Sequence, residues 1–237
     1  LSLSWKRSQF RAALAAADAL GGGGERLIVR AQPELAAHGS FSDTPDVVMI
    51  TPTDGASDIT LANVAYGNPS PASWGLVAAA STSCNVSVAG PAGTLPFSLP
   101  ARASAHARLI NVVAVGTALS VPKLGSITIE GQDATAYQSG VGPTPTFAWT
   151  MATMPPGQYA PSVSLELFSI DESSGTAVAT SIARLSTGTT DATSLRVPPQ
   201  LLQAGNRYAA KLTLDFSAAS NAVADAALTT VLASFSP

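Results

Sequence analysis

Charge is what this chain has least of. Asp, Glu, Lys and Arg make up 11% of its 237 residues, against about a quarter in soluble domains at large, and none falls between Asp58 and Arg102. The 43 residues of that gap, 59–101, are rich in Ser, Thr, Asn, Gly and Pro, and Pro69, Pro71, Pro91, Pro96 and Pro100 exclude a helix through them. β-structure with a surface that meets other protein is the expectation. Cysteine is nearly absent. Cys84 stands alone, so a disulfide-stapled fold is excluded, and beside Val86 and Val88 it reads as a small buried apolar residue. Histidine is scarce too: neither His38 nor His106 has metal-ligand spacing, and both read as loop or strand-edge residues. HExxH, paired CxxC, the P-loop and the nucleophile elbow are missing, although a Ser-His-Asp set, whose members meet only in space, stays open. No run reaches the roughly 18 apolar residues of a membrane span. The net charge is −3 and the one basic cluster, Lys6, Arg7 and Arg11, is small, which leaves no electrostatic footprint for nucleic acid. No cofactor, catalytic residue, nucleic-acid partner or membrane span is expected.

What is present is strand grammar after a short helix. The run SQFRAALAAADAL over 8–20 is rich in the best helix former, with Phe10, Leu14 and Leu20 spread along about three turns. Arg11 and Asp18 interrupt it as a signal peptide, and Gly21 to Gly24 make a stop and a flexible joint. So short a helix is marginal alone and must pack on its own chain or on a neighbour; its own chain is favoured. Beyond the glycines, strands are expected at 27–31, 47–51, 59–66, 85–89 and 109–115, separated by turn formers. In the second half, apolar residues step by two through Phe147, Trp149 and Met151, through Val163, Leu165 and Leu167, and through Tyr208 to Phe216. Ile127 and Ile129 open this series, and Val231, Ala233 and Phe235 close it.

The order of PTFAWT at 145–150, SVSLELF at 162–168, SLRVPPQLLQAGNRYAAKLTL at 194–214 and the terminal VLASF resembles a fibronectin type III domain. The resemblance implies that Trp149 is the core Trp of the second strand. It also implies that Leu202, Gly205 and Tyr208 form a corner in which the Tyr hydroxyl bonds upstream backbone. The first half shares the strand pattern without these landmarks and is read, by analogy, as an immunoglobulin-like or jelly-roll-like sandwich. The expected organisation is thus all-β, with two β-sandwich domains in tandem: a helix and linker at 1–24, one sandwich at 25–118 and a fibronectin type III-like sandwich at 119–237.

Function is read mainly from what is missing. The expectation is a non-enzymatic, extracellular or particle-surface protein, structural or adhesive, that self-assembles or binds other protein through its charge-poor surface. Tyr66, Trp74, Ser81 and Ser87 mark the candidate assembly surface, with the N-terminal helix also buried between subunits. The alternative is a non-catalytic spacer or carbohydrate-binding portion of a secreted hydrolase, for which Tyr66 and Trp74 would form an aromatic platform for a polysaccharide; aromatics beside such turns more often complete a core. Asp43, Asp46, Asp54 and Asp58 are the best ion-site candidates, since calcium gathers carboxylates from loops. The simpler reading makes Asp54–Gly55 a turn capped by Asp58. Asp171 and Glu172 before Ser173 read as a hairpin turn.

Overall fold

The computed structural model describes residues 1–14, 24–32, 46–53, 57–67, 70–71, 73–109, 117–153, 162–173, 176–187, 192–216 and 225–237. In chain order the elements are β1 (Leu3–Trp5), α1 (Arg7–Ala13), β2 (Gly24–Gln32), β3 (Asp46–Ile50), β4 (Ile59–Leu61), β5 (Gly75–Gly90), β6 (Gly93–Leu109), β7 (Thr117–Leu119), β8 (Lys123–Ile129) and β9 (Gln132–Asp133). They continue with β10 (Gln138–Ser139), β11 (Thr146–Thr153), β12 (Ser162–Asp171), β13 (Val178–Ser186), β14 (Ser194–Arg196), β15 (Arg207–Phe216), β16 (Asp225–Val231) and β17 (Phe235–Ser236). The chain is all-β, as expected, with one short helix among the described residues.

The main sheet runs β3-β2-β5-β6-β16-β15-β12-β13, every neighbouring pair antiparallel. It crosses 118–119, where the sequence reading divides the chain. β6, from before that point, pairs with β16, from after it, over Arg102↔Thr229 to His106↔Asp225. Two smaller sheets, β4-β1-β7 and β14-β11-β8-β9, complete the layers. Their buried residues (Leu3 and Trp5, Ile129 and Phe147) belong to the same hydrophobic cluster as Leu27, Ala78 and Ala105 of the main sheet. The period of two explains which face is buried. Along β6, Ala101, Ala103, Ala105 and Ala107 point inward and Arg102, Ser104, His106 and Arg108 outward. Alanines at the inner positions let the facing layer approach closely, while the large side chains come from Trp5, Phe10, Phe147 and Phe235.

Several elements differ from the sequence reading. The helix covers Arg7–Ala13 and ends where Leu14 turns extended, well before Gly21; 15–23 lie outside the described residues. Packing sets that limit: Phe10, Ala13 and Leu14 are buried, and the Phe10 ring meets Trp5 edge-on at 6.0 Å. The helix therefore packs on its own chain, and its apolar residues are not on offer to a neighbouring subunit. β1, ahead of it, was not expected from a segment so short. The strand expected at 59–66 stops at Leu61, because Asn63 takes a left-handed φ of 52°. That expected at 85–89 is the far half of the 16-residue β5, and of 109–115 only Leu109 is described.

The corner before β15 has the hydrogen bond that the resemblance implies. Gln203 N donates to the Tyr208 hydroxyl at 2.8 Å, and Gly205 takes φ 84°, a region that any side chain strains. Tyr208→Phe is expected to cost about 1–2 kcal/mol, since it leaves a half-buried N–H without its acceptor; urea denaturation checks this.

Candidate interaction surface

The uncharged stretch becomes the outer end of one long hairpin. β5 and β6 pair from Leu76↔Leu109 to Gly90↔Gly93. β2 flanks β5 only as far as Ser83, and β16 flanks β6 only from Arg102 onward. Between those limits, residues 84–101 form a two-stranded ribbon with no third strand among the described residues. Its inner side is apolar: Cys84 and Val88 are buried, and Val86, Leu95 and Phe97 pack half-buried on the core. Its outer side shows Asn85, Ser87, Thr94, Pro96, Ser98 and Pro100, all exposed and all neutral. In the ladder Ser87 lies opposite Ser98, and Asn85 opposite Pro100. The tip is pinned from the C-terminal side, where the Ser234 amide and hydroxyl both donate to Ala89 O at 2.9 and 2.7 Å. The ribbon therefore rests its inner side on the core and turns outward a face without charge.

The near end of the hairpin is anchored by a buried ion cluster. Glu25 on β2 receives Arg7 Nη2 at 2.6 Å, Arg11 Nε at 2.9 Å and Nη2 at 2.6 Å, and the Thr82 hydroxyl of β5 at 3.2 Å. Arg7 is 2% and Glu25 7% exposed. Arg7 Nη1 also reaches Ser57 O at 3.0 Å. Burial by itself would raise the Glu25 carboxyl, but hydrogen bonds from Arg11 and Arg7 outweigh it and hold the group below its ordinary value. A single carboxylate thus ties α1 to the sheet from which the ribbon extends.

The structure places the remaining candidates apart from one another. Ser81 lies on the outer side of β5, half-buried, on the same side as exposed Ser87. Tyr66 and Trp74 pack against the core as half-buried residues rather than standing out as a platform. Trp149 is 3% exposed on β11, and Leu202 and Tyr208 are buried. His106 sits mid-sheet, with Ala79 on one side and Asp225 on the other, which corrects its reading as a loop or strand-edge residue. His38, Asp43 and Asp54 lie outside the described residues. Asp46 pairs with Arg26 and Arg30. Asp58 accepts from Ser8 N at 3.0 Å and Ser8 Oγ at 2.8 Å; it serves the start of α1, with Lys6 at 3.5 Å. Hydrogen bonding from the Ser8 amide holds its carboxyl below the usual range. No group of three or more potential metal ligands occurs among the described residues. Asp171 closes an Asx turn by accepting from Ser173 N at 2.8 Å. Burial raises the Cys84 thiol, which makes it a poor nucleophile. No described helix is long and apolar enough to cross a membrane.

No protein-family model matches the chain, and no curated protein does. Among solved structures it is similar to the FN1–FN3 domains of chicken CNTN1, at 10% identity and a TM-score of 0.24. The match covers 93% of this chain and 60% of that one, so the chain spans about three-fifths of that structure.

Proposed function

We propose that this chain is a non-enzymatic structural or adhesive protein of the cell exterior or a particle surface, and that it assembles with further copies of itself through the outer side of the β5–β6 ribbon. The observation that carries the reading is the exposed, wholly neutral face formed by Asn85, Ser87, Ser98 and their neighbours. Interface cores are depleted of charge relative to the rest of a surface, and a face that lacks charge on both strands meets a second copy without repulsion. Ser87→Lys places an ammonium in the middle of it. The expected result is loss of the assembled species in light scattering and negative-stain images, with the melting temperature of the subunit within about 2 °C of wild type, because exposed substitutions shift stability by only about 0.5 kcal/mol. A wild-type chain that stays monomeric at high concentration, or a Ser87→Lys chain that assembles as before, sinks the reading.

A further inference from the structure

A second feature of the main sheet lies next to the ribbon on the same face. Where β2 and β6 flank β5, the outer face forms a groove of about 470 Å³. β5 contributes small side chains to its floor, Ala79 and Ser81, and Thr213, Ala227 and Thr229 of β15 and β16 continue it beyond β6. β2 contributes Arg26 and Arg30 to one wall, and β6 contributes Arg102, Ser104 and His106 to the other. Cross-strand rows set the pattern: Arg30–Val77–Arg108, then Ile28–Ala79–His106, then Arg26–Ser81–Ser104. Strands two apart in a sheet lie roughly 10 Å from each other, and alternate residues on a strand about 7 Å. Guanidinium groups therefore stand on β2 and on β6, about 10 Å apart across β5.

The charge balance within the described side chains is positive. Arg26, Arg30 and Arg102 of the lining stand against Asp215, at the far wall, and Asp46, at the edge beside β2. Asp46 pairs with both Arg26 and Arg30. Arg102 is exposed and has no hydrogen-bond or ion-pair partner among the described residues. The groove contains no Phe, Tyr or Trp. Extended and helical peptides are held by an open strand edge or by apolar pockets, and this mid-sheet face offers neither. It offers instead hydroxyls, from Ser81, Ser104, Thr213 and Thr229, beside forks that match carboxylates bidentately.

We propose that this groove binds an acidic polysaccharide, a chain of linked sugars bearing carboxylates, with Arg102 as the principal contact and β5 as the floor beneath the sugar rings. The site adjoins the ribbon, Arg102 being the next outward position after Pro100 on β6, and it is complete within one copy of the chain.

The test is affinity electrophoresis of the full chain at low salt through gels containing polygalacturonate, neutral dextran or poly-glutamate, followed by titration calorimetry. Retardation by polygalacturonate alone is expected, weakened severalfold when salt is raised from 50 to 300 mM. Arg102→Glu should reduce the affinity by about tenfold or more, the scale of a lost charge-assisted hydrogen bond. Thermal unfolding verifies that the variant is folded, and Arg102→Gln, which keeps the side-chain bulk, serves if it is not; a severalfold loss is expected there. Three outcomes overturn the proposal: no retardation of wild type by polygalacturonate, undiminished binding by a folded Arg102 variant, or equal Arg102-dependent binding to poly-glutamate, which would make the groove a site for acidic protein segments.

Discussion

Glu25→Ala is expected to lower the free energy of unfolding by about 3–5 kcal/mol. The carboxylate is the shared acceptor of Arg7, Arg11 and Thr82, and its removal leaves the Arg7 guanidinium, 2% exposed, without its counter-ion. Most of the cost is the unpaired charge rather than the lost attraction. The double variant Glu25→Leu with Arg7→Met, which replaces the pair with apolar bulk, should therefore recover much of it; urea midpoints for the single and double variants measure the difference. The same cluster sets an acid limit. Glu25 is held below its ordinary value in the fold, so its contribution is fully present above the ordinary Glu range near pH 4.5 and is lost as pH falls through the lowered value. Glu25→Gln should flatten the fall in wild-type stability below about pH 4.5.

Phe235→Ala is expected to cost a similar amount, about 3–5 kcal/mol. Phe235 is 0% exposed, meets Phe147 edge-on at 5.7 Å and lies 5.9 Å from Tyr208. It thereby joins β11 of one sheet to β15 of another through a two-residue strand, β17, that pairs with β10. Truncation opens a cavity where three elements converge. Because β16 also pairs with β6, the damage should spread: fluorescence and far-UV circular dichroism are expected to report one coincident transition at a lower denaturant concentration. Two separated transitions would show that the halves unfold independently.

The second half of the fold was the more legible in the sequence, because its apolar residues step by two through Trp149, Val163 to Leu167 and Tyr208 to Phe216 and those positions are buried, although Ser164 and Ala209 between them are buried as well. Periodicity reports exposure, so it fades where strands are covered on both sides or interrupted. β6 contains Pro96 and Pro100, and the inner positions of its second half are Ala, whose single methyl gives a weak apolar signal that disguised a 17-residue strand. β1 is three residues long, too short for any period. The β6–β16 pairing joins residues more than a hundred positions apart, and no local signal carries such a contact. The uncharged stretch was visible at once as a surface feature. Arg26 and Arg30, with Arg102 and His106, were present as even-numbered spacings in two segments, but only the register across β5 brings them to a common groove. Glu25 and Arg7 gave no sign of meeting, since an ion pair between distant segments is a property of the fold alone.

The late pairing of β16 with β6 also has a consequence on the ribosome. The edge of β6 at 102–106 is synthesised long before its partner at 225–229. At roughly 5–20 residues per second, the nascent sheet spends on the order of ten seconds with that edge unclaimed. Arg102, His106 and Arg108 lie along it, and charged side chains discourage pairing between the edges of different chains. The residues that border the groove in the finished protein thus guard the growing one while it waits for its last strands.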